Sequence, residues 1–168
     1  MPAELELWPS DGTRRWQLIT DGVMGGVSRG QVTAETVAGR DAIRMRGRVS
    51  TENNGGFIQI AIDLAAGEPF DAGRFDGITL DILGNTERYG AHLRSADVTR
   101  PQQSWRQEFI ATPQWQTMLL PFARFVPHRI DLPLAPSRLR RIGLVAIGRE
   151  FDADLSVARL ALYGSGVA

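Results

Sequence analysis

Strict alternation of apolar and polar residues constrains this chain more than any other feature. The run Phe57-Ile58-Gln59-Ile60-Ala61-Ile62-Asp63-Leu64 sets Ile58, Ile60, Ile62 and Leu64 on one side and Gln59, Ala61 and Asp63 on the other. A period of two belongs to a strand with one face on a core, because successive strand side chains point to opposite faces. Gly77 to Ile82 repeats the pattern with Ile78, Leu80 and Ile82 inward, and Ala42 to Arg46 follows it with Ile43 and Met45 as its apolar members. Tyr89, Ala91 and Leu93 oppose His92 and Arg94, and Trp105, Gln107 and Phe109 oppose Arg106, Glu108 and Ile110.

The later segments read less simply. Gln116 to Phe122 is expected to be a strand leaving its sheet at Pro121, which has no ladder donor. Ile142 to Ile147 is almost continuously apolar, as in a strand covered on both faces. From Asp154 to Tyr163 the inward phase runs Leu155 and Val157, then Leu160 and Leu162, which calls for a bulge near Ala158-Arg159. Pro136 to Arg141 suits one short helical turn, and no segment of helix length shows a 3.6-residue period. Asp21-Gly22, Gly25-Gly26, Asn53-Asn54-Gly55-Gly56, Asp71-Ala72-Gly73 and Gly84-Asn85 supply turns between the runs. About nine strands at this spacing predict one all-β domain over 1–168, a sandwich or barrel.

Composition narrows the function classes. Hydrophobic residues are 43% and charged residues 23% of the 168, which is globular. Nineteen basic residues, every one of them Arg, balance nineteen acidic ones. A nucleic-acid partner and anionic lipid both call for a basic excess, so neither is expected. No cysteine is present, which excludes disulfides, thiolate metal sites and cysteine nucleophiles. The acidic first residues do not read as a signal or transit peptide, and no apolar run reaches bilayer length. A bacterial-type cytoplasm is the expected compartment.

Three clusters are more specific than composition: Thr20-Asp21-Gly22-Val23-Met24-Gly25-Gly26-Val27-Ser28, Arg46 through Asn53-Asn54-Gly55-Gly56-Phe57, and Phe75-Asp76-Gly77-Ile78 through Gly84 to Tyr89. Phe109, Trp115, Leu120-Pro121-Phe122, Phe125 and Ile142-Gly143-Leu144 follow in order. From about Trp16 to Tyr163 the chain resembles the complex I intermediate-associated protein 30 family. The resemblance implies a galactose-binding-domain-like jelly-roll β-sandwich. It also implies a non-enzymatic binding role, with a protein partner such as an assembly intermediate of a respiratory or other multi-subunit membrane complex.

Candidate binding residues fall in two groups. Asp21, Met24, Gly25, Gly26, Asn53 and Asn54 lie in the two glycine-rich loops. Consecutive glycines can turn backbone N–H groups toward an anion, but the P-loop and dinucleotide spacings are missing and a tight turn is the expected reading. Asp21 suits an Asx-turn better than a calcium ligand, and Asn53 tolerates left-handed backbone. His92, Arg94 and Arg106, with Glu108, occupy the outward phase of two segments that could pair into a polar sheet face, with Trp105 expected near its rim. Asn and Arg groups beside an aromatic would also suit a carbohydrate, the alternative ligand.

Catalytic features are sparse. His92 and His128 have no metal-ligand spacing, no G-x-S-x-G elbow occurs, and Asp152 and Asp154 would merely share a strand face. No catalytic residue, metal or cofactor is expected.

Overall fold

The computed structural model describes residues 3–10 and 14–164, excepting the side chains of residues 3, 23, 24 and 54. Twelve strands occur among them: β1 (Ala3–Trp8), β2 (Gln17–Thr20), β3 (Arg29–Val37), β4 (Arg40–Val49), β5 (Phe57–Asp63), β6 (Gly77–Leu83), β7 (Arg88–Ser95), β8 (Ser104–Ile110), β9 (Gln116–Pro121), β10 (Val126–His128), β11 (Leu139–Ile147) and β12 (Phe151–Gly164). The first sheet runs β3-β4-β12-β6-β9, with β1 also beside β12. The second runs β10-β8-β7-β11-β5-β2. Every pairing is antiparallel. The result is a β-sandwich, one of the two architectures the alternation allowed, and the jelly roll that the family resemblance implied.

The inward phases meet as one core. Ile58, Ile60 and Ile62 of β5 face it from one sheet, and Ile78, Leu80 and Ile82 of β6 from the other, all at 1% exposure or less. Burying each such side chain contributes roughly 1.5–3 kcal/mol of hydrophobic free energy. The phase change in the last strand is a register shift between Val157 and Arg159, so Leu155, Val157, Leu160 and Leu162 all reach the core. Pro121 closes β9 at the edge of its sheet. Pro136–Arg138 forms a 3-10 turn.

The N-terminal part holds more strand than expected. Ahead of β5 the structure places β1, β2 and β3 as well as β4. β1 lies against the second half of β12, where Leu5 pairs with Leu162, and β4 lies against the first half, where Met45 pairs with Leu155. The β12 bulge falls between these two stretches.

One polar bond joins the sheets through the core. Tyr89 of β7 is 1% exposed. Its hydroxyl donates to Asn85 Oδ1 at 2.6 Å and accepts the Asp154 N–H of β12 at 2.9 Å. Burial first, then the Asp154 and Glu87 charges, push this phenol up to about 12 against the Asp154 N–H bond and the Arg149 charge, so it stays a neutral donor.

Candidate functional site

The two glycine-rich loops come together, and what they meet on is Asp21. Asp21 is fully buried. Its Oδ1 accepts the Ser28 N–H at 3.0 Å, and its Oδ2 accepts the Ser28 hydroxyl at 2.5 Å. Oδ2 also accepts the Gly56 N–H at 2.6 Å and the Phe57 N–H at 3.3 Å. Burial would raise this carboxyl, yet the bonds from Ser28, Gly56 and Phe57 outweigh it and hold the group below its ordinary value.

Glycine is required where the loops close. A Cβ on Gly26 or Gly55 would run into the Asp21 carboxylate. Gly25 ends the 3-10 turn Asp21–Met24 at φ 84°, and its N–H reaches the Gly22 carbonyl at 3.1 Å. Asn53 is exposed in left-handed backbone at φ 57°. The candidate side chains of Met24 and Asn54 lie outside the described residues.

The second candidate group sits on the outer face of the second sheet. Registers line up Gln17, Ala61, Gly143, His92, Arg106 and Val126 as one row across six strands. On one side lies the row Ile19, Gln59, Val145, Gly90 and Glu108. On the other lies Asp63, Arg141 and Arg94. Ala61, Val145, Gly143 and Gly90 are buried although their phase is outward, so small residues form a floor. This also explains the apolar run in β11, the central strand here. The Gln59 side chain lies over Gly143, where a Cβ would come within 2.6 Å of its Oε1, and a Cβ on Gly90 would come within 3.1 Å of His92 Nε2.

Two depressions open on this face. One, of about 430 Å³, is lined by Arg88, Gly90, His92, Arg106 and Arg149 among others. The other, of about 320 Å³, is lined by Asp63, Arg94, Ser95, Arg140 and Arg141 among others. Burial first, then the Arg106 and His128 charges, hold the His92 imidazole down at about 3, so it is neutral at physiological pH. Arg94 is lowered by burial and by Arg141 and Arg140, with Asp63 opposing. Arg106 is lowered by burial and by Arg129. Both guanidiniums stay charged, as arginine does throughout this range.

Structure therefore unites His92, Arg94 and Arg106 but does not bring the loop group to them. The Asn53 loop enters β5 at Phe57, four residues from Ala61 in the His92 row, or about 13 Å along the strand. Trp105 is a correction to the expected rim. It is 0% exposed and its register partner is the inward Leu93, so its ring faces the core and not the polar face. Its indole N–H donates to the Leu132 carbonyl at 3.0 Å. Sequence reasoning missed Gln59, Arg140, Arg141 and Gly143. Gln59 and Gly143 carry a signal in retrospect, a polar residue and a glycine on the outward phase of central strands.

The outer face of the first sheet differs in charge balance. Arg44 grips Asp154 with Nε at 2.8 Å and Nη2 at 2.7 Å, and reaches Glu35 at 3.0 Å. Asp152 pairs with Arg48 at 3.4 Å. The two acids expected to share a strand face are thus neutralised there. Among the described residues no group of three His, Cys, Asp or Glu is placed to hold a metal, and no helix is long and apolar enough to cross a membrane.

A family model described as Complex I intermediate-associated protein 30 (CIA30) matches residues 5–157. No curated protein matches the chain in sequence. Solved structures do match in fold. A family 11 carbohydrate-binding module of the cellulosomal cellulase Lic26A-Cel5E of Clostridium thermocellum superposes with TM-score 0.75 at 16% identity, covering 97% of this chain and 95% of that one. A structure of the family 11 module from the same organism, in complex with a β-1,3-1,4-mixed-linked tetrasaccharide, gives 0.69 at 14% identity over 97% and 95%. A family 30 carbohydrate-binding module of its cellulase Cel9D-Cel44B gives 0.67 at 12% identity over 98% and 99%.

Proposed function

The chain belongs to the complex I intermediate-associated protein 30 family, and on that premise we propose that it is a non-enzymatic binding domain whose partner lies across the outer face of the second sheet. One observation carries the reading. A central floor of Gly90, Ala61, Gly143 and Val145 is overlaid by Gln59 and His92 and flanked by Arg94 and Arg106, all on the outward phase of the sheet. The small residues let the Gln59 and His92 side chains lie close over the sheet, and such held polar groups can orient a ligand. The family's name favours a protein partner, an assembly intermediate of a multi-subunit complex.

Capture from native host extract tests this, with wild type beside Gln59→Trp. The larger ring would remove the Gln59 amide and obstruct the face at a half-exposed position, and thermal unfolding would verify the fold. Wild type is expected to recover subunits of one complex and Gln59→Trp to recover none. Equal recovery by both, or none by wild type across growth conditions, would overturn the proposal.

A second reading has its own observation. The overlay with carbohydrate-binding modules spans almost the whole chain, and the amide of Gln59 and the neutral ring of His92 suit sugar hydroxyls. Calorimetric titration with the mixed-linked tetrasaccharide decides it: binding that Gln59→Trp abolishes would favour this reading, and silence would remove that ligand.

A further inference from the structure

The outer face of the second sheet carries positive charge that the protein does not neutralise. Three of the arginines that line it have acidic partners: Arg141 pairs with Asp63 at 2.8 Å, Arg88 with Glu108 at 3.3 Å and Arg149 with Glu87 at 3.0 Å. Arg106 has only the Ser104 hydroxyl, at 2.9 Å. Arg94 has no hydrogen bond or ion pair among the described residues, although it is half-buried. On the first sheet's outer face, by contrast, Arg44 is filled on three sides by Asp154 and Glu35. Solvent reaches these open donors, and a carboxylate in its place would make stronger, charge-assisted bonds.

Backbone irregularity concentrates the charge. The β11–β7 register shifts between Leu139 and Arg141, leaving Arg140 as the extra residue of a bulge. A bulge re-aims side chains, and here Arg140 joins Arg141 and Arg94 around the smaller depression. Three guanidiniums face it against the single carboxylate of Asp63. Arg140 itself is tied to the Gly67 carbonyl at 2.6 Å, which holds its head in place.

Spacing says what could fill both open cations. His92 is the register partner of Arg106, and Arg94 is two residues beyond it, so Arg94 and Arg106 are diagonal neighbours about 7–8 Å apart at Cα. Alternate residues of an extended chain are spaced by about 7 Å. Arginine's planar fork donates two parallel bonds to a carboxylate. We propose that the partner is an extended acidic polypeptide segment with carboxylates at alternate positions, one held by Arg94 with Arg140 and Arg141 and the next by Arg106 beside His92. The proposal deepens, and rests on, the reading of this face as the binding surface.

The test titrates the full chain with a labelled peptide alternating Thr and Glu, its Thr/Gln counterpart, oligogalacturonate and the neutral mixed-linked tetrasaccharide. Wild type is expected to bind the Glu peptide at least tenfold more tightly than the Gln peptide. Arg94→Gln and Arg106→Gln are each expected to weaken it about tenfold, whereas Arg100→Gln, in an exposed turn, leaves it unchanged. Equal binding of both peptides, or unaltered affinity in both variants, would overturn the proposal. Oligogalacturonate binding without peptide binding would overturn the polypeptide while keeping the charge argument. Tetrasaccharide binding lost in Gln59→Trp but kept in both arginine variants would overturn the proposal and leave the face standing. If Gln59→Trp leaves all binding intact, the face reading itself fails.

Discussion

At the scale of single residues, Asp21 and His92 show two uses of a buried titratable group. Asp21 ties two loops together with a charge whose acceptors are all occupied. Replacing it with Ala would strand the N–H groups of Ser28, Gly56 and Phe57, and a hydrogen bond to a charged group contributes about 1.5–3 kcal/mol. Asp21→Ala is therefore expected to cost about 3 kcal/mol in chemical denaturation, and Gly55→Ala about 1–3 kcal/mol by crowding the carboxylate. His92 acts at a different pH. Its folded value of about 3 lies below the ordinary 6.5, so the unfolded chain binds the proton first as pH falls. Its contribution is complete above pH 6.5 and is lost progressively toward 3. The lowered Asp21 carboxyl contributes above its ordinary 3.8, and that stability goes as pH falls through its folded value. Denaturation midpoints of His92→Gln are expected to fall less steeply than those of wild type between pH 6.5 and 4. Parallel slopes would contradict the neutral imidazole. The alternation in sequence already placed His92, Arg94 and Arg106 on one face. It could not show that Asp21 is saturated by groups far along the chain, because such closure depends on tertiary packing.

Among the elements, legibility followed the contrast between the two faces of each strand. β5 and β6 alternate isoleucine and leucine with polar or small residues and were plain. β3 is an edge strand whose inward phase holds only Gly30, Val32, Ala34 and Thr36, too weak a stripe to stand out. β1 does carry a signal, Leu5 and Leu7 against Glu4 and Glu6, but two apolar residues are too few for the alternation to stand out. β10 spans three residues, below the length at which alternation can be seen. Trp105 was on the inward phase from the start, and the interior is where its alternation puts it. The β7–β12 link through Tyr89 was not legible at all, since it joins residues 65 positions apart. Tyr89→Phe would leave the Asp154 N–H without its acceptor and is expected to cost about 1–2 kcal/mol, read by thermal or chemical unfolding. No loss would mean that this bond does not hold the sheets together.

Over the whole molecule, a chain of zero formal net charge divides its charges unevenly. The first sheet's outer face pairs Arg40, Arg44, Arg48 and Arg159 with acids, and the second leaves Arg94 and Arg106 without a carboxylate partner. Zero net charge gives no bulk attraction toward a polyanion but is blind to this local excess. The fold is shared with modules that bind carbohydrate, and a fold alone does not select a ligand. What selects it is which face is used. Backbone amide NMR of the isotope-labelled domain, recorded while the captured partner is added, reports that directly. Shifts confined to β5, β7, β8 and β11 are the predicted result, with the loops around Asp21 and Asn53 undisturbed. Shifts confined to those loops, with the sheet face silent, would contradict it.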